Sequence, residues 1–292
     1  MKYTKQIVVI VIVVATSAFL YVQPVSGLKK AGQADGHTNT AAPQKRPVVN
    51  VTIDMVSAAA KIAIGQTLAE QISNTEGQLK KAAGDAAKLD LQKKLAKEWD
   101  DVNQPGPAAF YYQAIAREEN TFDDWKAAGS HFNDAFGREQ DTVLQPAFVR
   151  NAIDCYKNAV KMQPANLDAK TGLGVAYVNQ TSIGITDPEG GSPMQGIMLL
   201  LDVVKQDPNN FNANMNLGKF AVNSHQYEKA VQRFKTVIAQ RADPDAYFYL
   251  AESYKQLGMK KEAIEAYQKC RAIVTDAAFD KQIDEYIKEL KN

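Results

Sequence analysis

The chain has 292 residues, of which 45% are hydrophobic and 23% charged, so it is long enough for one large or two modest cores and is not expected to be disordered. The net charge of +1 conceals a division, because residues 1–50 hold six basic residues and one acid, which leaves 28 basic and 32 acidic residues for 51–292. The main part of the chain is therefore slightly acidic and carries no basic stripe, which argues against a nucleic-acid partner.

The first predicted element is an apolar run from Ile7 to Val22 that follows Lys2 and Lys5. Its sixteen residues are longer than the usual core of a signal peptide and shorter than a full membrane span of about 20 residues. We favour an uncleaved anchor over residues 1–26, with a cleaved signal peptide as the alternative. The two lysines favour a cytoplasmic N-terminus and an extracytoplasmic, periplasmic location for the remainder, although Lys29 and Lys30 flank the other side.

Residues 27–50 are rich in Gly, Pro, Thr and Asn without an apolar period, which predicts a flexible linker. Residues 51–87 form a helical pre-region, in which Gly65, Gly77 and Gly84 argue against one long helix. This segment predicts one or two helices packed on the following domain, or alternatively a coiled coil that makes the protein a homo-oligomer. The apolar seam of the pre-region contains Ile53, Val56, Ala60, Ile64, Leu68, Ile72, Leu79, Ala82 and Ala86.

From residue 88 onwards a helical pattern repeats, with small residues at fixed places in paired helices. Between consecutive second helices, Ala230 and Ala263 lie 33 residues apart and Gly196 and Ala230 lie 34 apart. Small residues at fixed positions indicate that two helix backbones approach closely. In chain order, the small residues of the first helices are Ala96, Gly129, Gly174, Gly218 and Ala251, and those of the second helices are Ala108, Ala152, Gly196, Ala230 and Ala263.

This pattern resembles the tetratricopeptide repeat family over about residues 88–275. The residues that carry the resemblance are Trp125, Leu173 with Gly174, Tyr177, Leu217 with Gly218, Ala230 with Phe234, and the prolines Pro164 and Pro208. Departures are Ala221 in place of an aromatic residue, Gly196 in place of Ala, and two insertions of about ten residues, one of them in the turn 182–193. The resemblance implies an all-α, right-handed superhelix of about five helical hairpins, which residues 276–292 would close as a capping helix with one apolar face.

In this family the first helix of each hairpin lines the concave face, and the resemblance therefore implies a peptide-binding groove there. Asparagine is frequent at the positions expected to face inward, and its amide can both donate and accept hydrogen bonds to a peptide backbone. The alternative is that these are solvated polar residues of exposed helix faces. The expected groove residues are Lys126, Asn133, Asn179, Asn212, Asn216, Lys219, Asn223, Phe248 and Glu252. Lys126 and Lys219 are isolated candidates for a clamp on a terminal carboxylate, of which the complete set is not present.

No catalytic, cofactor-binding or metal-binding motif is present in the sequence, so we expect a protein that is not an enzyme and has no cofactor or metal. Cys155 and Cys270 belong to no metal-ligand pattern and are expected to be inert buried thiols, with a disulfide or a reactive thiol as the alternative. The sequence favours a membrane-tethered adaptor that binds a protein or peptide partner. A structural component that oligomerises through residues 51–87 is the second hypothesis.

Overall fold

The computed structural model describes residues 50–184 and 193–291, and these form thirteen helices and no strand. The predicted anchor, nearly all of the predicted linker and residues 185–192 of the long turn lie outside the described residues. The helices are α1 (Ile53–Ile64), α2 (Gln66–Lys81), α3 (Asp85–Asp101), α4 (Pro105–Glu119), α5 (Phe122–Arg138), α6 (Gln145–Met162), α7 (Leu167–Ser182), α8 (Pro193–Gln206), α9 (Phe211–Asn223), α10 (Tyr227–Ile238), α11 (Pro244–Gln256), α12 (Lys260–Ile273) and α13 (Ala277–Lys291). The all-α prediction is confirmed for the described residues.

The pre-region forms two helices that pack on the first hairpin, as one of the two alternatives predicted. α1 contacts α4, and α2 contacts α1 and α3. Gly65 and Gly84 separate the helices with φ values of 81° and 86°, which favour glycine, whereas Gly77 lies inside α2 and does not interrupt it. The predicted apolar seam is partly wrong, since Leu68 is 42% exposed and Ala86 is also exposed.

Local sequence signals explain where the later helices begin. The side chains of Asn166, Asn210 and Asp243 each accept a hydrogen bond from a backbone N–H of the first turn of α7, α9 and α11. Pro244 is the first residue of α11, where its missing N–H costs nothing. These caps fix the residue at which the first helix of each of the last three hairpins begins. Equivalent side chains of α7, α9 and α11 therefore lie at equivalent positions along their helices.

The small residues lie where two backbones approach, as the repeat pattern predicts. A methyl group on Gly218 would stand 2.7 Å from the ring of Phe234, and one on Gly196 would stand 2.6 Å from the carbonyl oxygen of Gly174. Both distances are shorter than van der Waals contact, so only glycine fits without a displacement. Ala230 and Ala263 are fully buried at the same place in α10 and α12. The small residues are therefore explained by the crossing of the two helices of each hairpin.

The hairpins α3–α4, α5–α6, α7–α8, α9–α10 and α11–α12 follow one another, and α13 packs on the last. In the described part, consecutive first helices contact one another at α5–α7, α7–α9 and α9–α11, whereas consecutive second helices make no comparable contact. The row of helices that lies closer together is the inner row of a curved stack. We call the side formed by α3, α5, α7, α9 and α11 the inner face.

Both cysteines are free and buried, which confirms the prediction of buried, unpaired thiols. Burial raises the pKa of the Cys155 thiol to about 12 and that of Cys270 to about 11, so neither forms a thiolate at neutral pH. Within residues 50–184 and 193–291, no helix combines the length and apolar character that a membrane span requires.

Candidate peptide-binding face

The inner face of α9 presents a row of polar side chains at the predicted positions. Asn212 and Asn223 are exposed, and Asn216 is half-buried between them. The Asn216 side-chain Nδ2 donates a hydrogen bond of 2.8 Å to the backbone oxygen of Asn212, one turn earlier. The Asn216 side-chain oxygen has no hydrogen bond within the described residues, so its acceptor capacity remains for a ligand.

Lys219 joins α9 to the next first helix. Its ammonium lies 3.3 Å from the Asp245 carboxylate and 5.2 Å from the centre of the Tyr249 ring, both on α11. Tyr249 in turn stacks on Phe234 of α10, with ring centres 5.7 Å apart. The charge of Lys219 is thus neutralised by a contact that also links two hairpins.

The same arrangement recurs one hairpin later. Lys255 of α11 lies 3.6 Å from Glu289 and 5.4 Å from the ring centre of Tyr286, and both partners belong to α13. α13 therefore occupies the place that a further first helix would take, with Ile283, Ile287 and Leu290 buried against the stack. In the C-terminal half of the inner face, Lys219 and Lys255 therefore connect neighbouring helices.

Two predicted groove residues of α11 have structural contacts. The half-buried Phe248 packs edge-on against Tyr267 and near Tyr286, and Glu252 accepts a hydrogen bond from the Tyr267 hydroxyl. The repeat register explains why Phe248 packs against neighbouring rings. It lies 33 residues after Met215, which is buried at the equivalent place in the preceding hairpin.

Sequence reasoning missed two inner-face residues, Asp245 and Tyr249. They stand 33 residues after Asn212 and Asn216, so the same register that predicted those asparagines contained the signal. In one hairpin these positions carry amides and in the next they carry an acid and an aromatic ring. Asp245 and Tyr249 are the two residues that contact the Lys219 ammonium.

The N-terminal half of the inner face is joined differently. Asn133 of α5 donates a 3.1 Å hydrogen bond to the backbone oxygen of Gly172 in α7, and its own side-chain oxygen is buried without a described partner. The Tyr156 ring fills the space between α5 and α7 so closely that a methyl group on Gly172 would stand 2.1 Å from it. Asn179 is half-buried at the far end of α7.

His131 closes the junction between the first two hairpins. Its ring stacks on Tyr112 at 4.1 Å, and its Nδ1 lies 3.5 Å from Asp100, which also accepts a hydrogen bond from the Tyr112 hydroxyl. Burial lowers the pKa of His131, while Asp100 and Asp134 oppose that shift. The imidazole is therefore mostly neutral at pH 7 and has a packing role.

Lys126 also lies on this half, but its contacts remain within its own helix. Its ammonium is 3.4 Å from Asp123 and 5.2 Å from the ring centre of Phe122, both in the first turn of α5. It resembles Lys219 in exposure and in the type of its partners, yet it links no second helix.

Comparison with known proteins agrees with this arrangement of hairpins. The family model described as "Tetratricopeptide repeat" matches residues 244–276, which contain α11 and α12. The chain has the tetratricopeptide-repeat fold. A thermophilic tetratricopeptide-repeat protein from Thermus thermophilus matches with a TM-score of 0.51 and 18% identity, over 69% of this chain and 98% of that one.

A tetratricopeptide repeat protein from Parabacteroides merdae ATCC 43184 matches with a TM-score of 0.53 and 10% identity, over 82% of this chain and 83% of that one. The two TM-scores support the tetratricopeptide-repeat fold, and identities this low carry no information about the partner. The comparison with curated proteins gives no match.

Proposed function

We propose that this tetratricopeptide-repeat chain is a non-catalytic, membrane-tethered scaffold that holds an extended peptide or protein partner on its inner face, chiefly against α9. Stacked helical hairpins present an elongated inner surface, which is the surface such proteins use for binding. The observation that carries the proposal is the row of amides at Asn212, Asn216 and Asn223 on the inner row of helices.

The available groups favour a partner that is bound through its backbone. A peptide backbone offers one donor and one acceptor per residue, and an asparagine amide complements both. Within the described residues, α3, α5, α7, α9 and α11 expose no large hydrophobic side chain. An apolar side chain of the partner would therefore find little apolar surface to bind there. Polar contacts along an extended segment then supply the recognition.

Capture of a terminal carboxylate is disfavoured on this face. Lys126, Lys219 and Lys255 each have a carboxylate within 4 Å, so a ligand carboxylate would have to displace an existing partner. Displacement exchanges one exposed ion pair for another and gains little free energy. An internal segment of a partner, rather than its C-terminus, fits these charges better.

The tether belongs to the proposal on the strength of the sequence. The run from Ile7 to Val22 would hold the chain at a membrane, and residues 27–50 would let the repeats stand away from it on the extracytoplasmic side. We expect the full chain to sediment with membranes and to resist extraction with carbonate, whereas a chain lacking residues 1–26 should be released. Release of the full chain by carbonate would contradict an uncleaved anchor.

Site-specific crosslinking in cells tests the binding face. A photoreactive residue at Asn216 on the inner face is compared with one at Glu228, which is exposed on α10. We expect a defined crosslinked protein from position 216 and only background from 228. Equal capture at both positions, or capture from 228 alone, would rule out the inner face as the binding site.

A further inference from the structure

The helix α1 has a broad apolar surface of which only one side is buried. Its inner side buries Val56 and Ala60, and the buried hydroxyl of Ser57 donates a 2.6 Å hydrogen bond to Glu76. Its outer side exposes the large side chains of Met55 at 45% and Ile62 at 87%, the latter the most exposed large hydrophobic residue in the described part of the chain. An apolar surface wider than the part that packs on the core is normally covered by a partner, and such exposure marks an interaction surface.

We propose that the outer face of α1 is a two-fold interface with a second copy of this chain. This face consists of Met55, Ala58, Ala59, Ile62 and Ala63, all of which are exposed. The inference does not depend on the binding of a partner to the inner face, because none of these residues lies there.

The order of side chains on this face is self-complementary. If two copies of α1 cross antiparallel with Ala58 of one opposite Ala59 of the other, Met55 of each copy lies opposite Ile62 of its partner. The alanines let the helix axes approach closely at the centre, and the larger side chains cover the ends. A two-fold interface requires this kind of symmetry, in which one patch fits itself.

The charges on α1 favour a second copy over a lipid surface. The one acid on the outer side, Asp54, lies at the N-terminal end and is 3.2 Å from Lys80, while Lys61 turns inward to a salt bridge with Glu76. Identical faces therefore meet without like charges at their centre. The basic rim that surface-bound membrane helices present to anionic lipids is missing from α1.

A groove beside α1 enlarges the surface available to the second copy. It has a volume of about 360 Å³, and its lining includes Ala59, Ala63, Pro107 and Leu144. A helix of twelve residues is about 18 Å long and alone buries less than the roughly 800 Å² per partner of a standard interface. We therefore expect a dimer that dissociates on dilution.

Thiol crosslinking of the full chain tests this interface directly. Two differently tagged copies, both carrying Ala58→Cys, are produced together and treated in intact cells with a short, membrane-permeant bismaleimide. The native thiols of Cys155 and Cys270 are buried and resist this reagent. We expect a crosslinked species that carries both tags, and Ala87→Cys, an exposed alanine of α3, should give at least ten times less of it.

A second pair of variants separates this face from other exposed apolar residues. Ile62→Asp in the Ala58→Cys chain should lower the two-tag species at least tenfold without loss of helix content, since the side chain is exposed. Met198→Asp, at a position 62% exposed on α8, should leave the crosslink unchanged.

Three results would overturn the proposal. The first is no two-tag species above the Ala87→Cys background, and the second is a crosslink that persists in Ile62→Asp. The third is that the thiol introduced by Ala58→Cys is protected from the bismaleimide only when membranes are present, or is crosslinked only to a different protein. Lipid or another partner would then be the occupant of this face.

Discussion

Lys126 and Lys219 have nearly the same surroundings in two halves of the inner face. Their side chains are 36% and 33% exposed, their ammonium groups lie 3.4 Å and 3.3 Å from an aspartate, and each is 5.2 Å from the centre of an aromatic ring. The partners of Lys126 belong to its own helix, whereas those of Lys219 belong to the next hairpin.

This difference indicates where the stack can respond to a ligand. In the N-terminal half, α5 and α7 are joined by the buried Tyr156 ring and by the part-buried hydrogen bond from Asn133, so most of this junction lies in the core. In the C-terminal half, α9 and α11 are joined at the inner face by a contact that is partly exposed and weak. A partner that engages Lys219 would therefore also affect the coupling of two hairpins.

The largest expected effect is on the free energy of unfolding, and it distinguishes the junction of α5 with α7 from that of α9 with α11. Tyr156→Ala should lower the free energy of unfolding by about 3–5 kcal/mol, because it removes a ring that is 5% exposed. Tyr249→Ala, at the half-buried ring beside Lys219, should cost about half as much. Urea unfolding followed by circular dichroism measures both. Equal losses would show that the two junctions do not differ in burial.

A smaller loss is expected from overpacking the N-terminal junction. Gly172→Ala places a methyl group 2.1 Å from the Tyr156 ring and should cost about 1–3 kcal/mol. Gly77→Ala is the matched control, because nothing lies within 4 Å of the new methyl group inside α2. It should stabilise by about 0.5–1 kcal/mol through helix propensity. Thermal unfolding should shift in opposite directions for the two variants.

We expect the stacked His131 to make the stability of the first junction depend on pH. Because burial lowers the pKa of His131 in the folded state, the unfolded chain binds the proton more readily, and stability falls as the pH drops below about 6.5. His131→Phe should flatten unfolding free energies between pH 7 and 5.5, whereas His225→Gln, in an exposed turn, should not.

Asp134 also contributes to the pH dependence. Burial raises the pKa of that carboxyl, so the folded state retains its proton more readily and stability changes in the opposite direction at lower pH. A slope above pH 5.5 that is unchanged in His131→Phe would contradict the assignment to His131.

The smallest effects on stability are expected from the two lysines. Lys219→Ala and Lys126→Ala should each change the free energy of unfolding by less than about 1 kcal/mol, since exposed ion pairs contribute little. They should differ in hydrogen exchange, because loss of Lys219 weakens a contact between α9 and α11. Faster exchange at α11 in Lys219→Ala alone is the expected result, and identical exchange in both variants would contradict it.

The repeat register predicted most of the fold because it records where backbones cross. Gly196 and Gly218 have no room for a methyl group and Gly174 has little, so their spacing was visible in the sequence. The site was less predictable, because the role of an inner-face residue depends on the next helix. Phe248 and Glu252 contact Tyr267, and no periodicity within one helix contains that information.

The pre-region shows a second limit of sequence patterns. The apolar seam of α1 and α2 identified residues suited to a core, but Leu68 is exposed, and Ile62, outside the seam, is the more conspicuous apolar residue. Apolar spacing at three and four residues describes both sides of α1 equally well. Packing against α4 decides which side is buried, and that packing is tertiary information.

The proposed placement of the partner on the inner face, chiefly against α9, is tested most directly by titration of variants of the two matched lysines. The partner captured from position 216 is titrated by calorimetry into the full chain, Lys219→Glu and Lys126→Glu. We predict that Lys219→Glu weakens the Kd at least tenfold, or about 1.4 kcal/mol, and that Lys126→Glu changes it less than about twofold. Equal weakening by both variants, or weakening by Lys126→Glu alone, would contradict this placement.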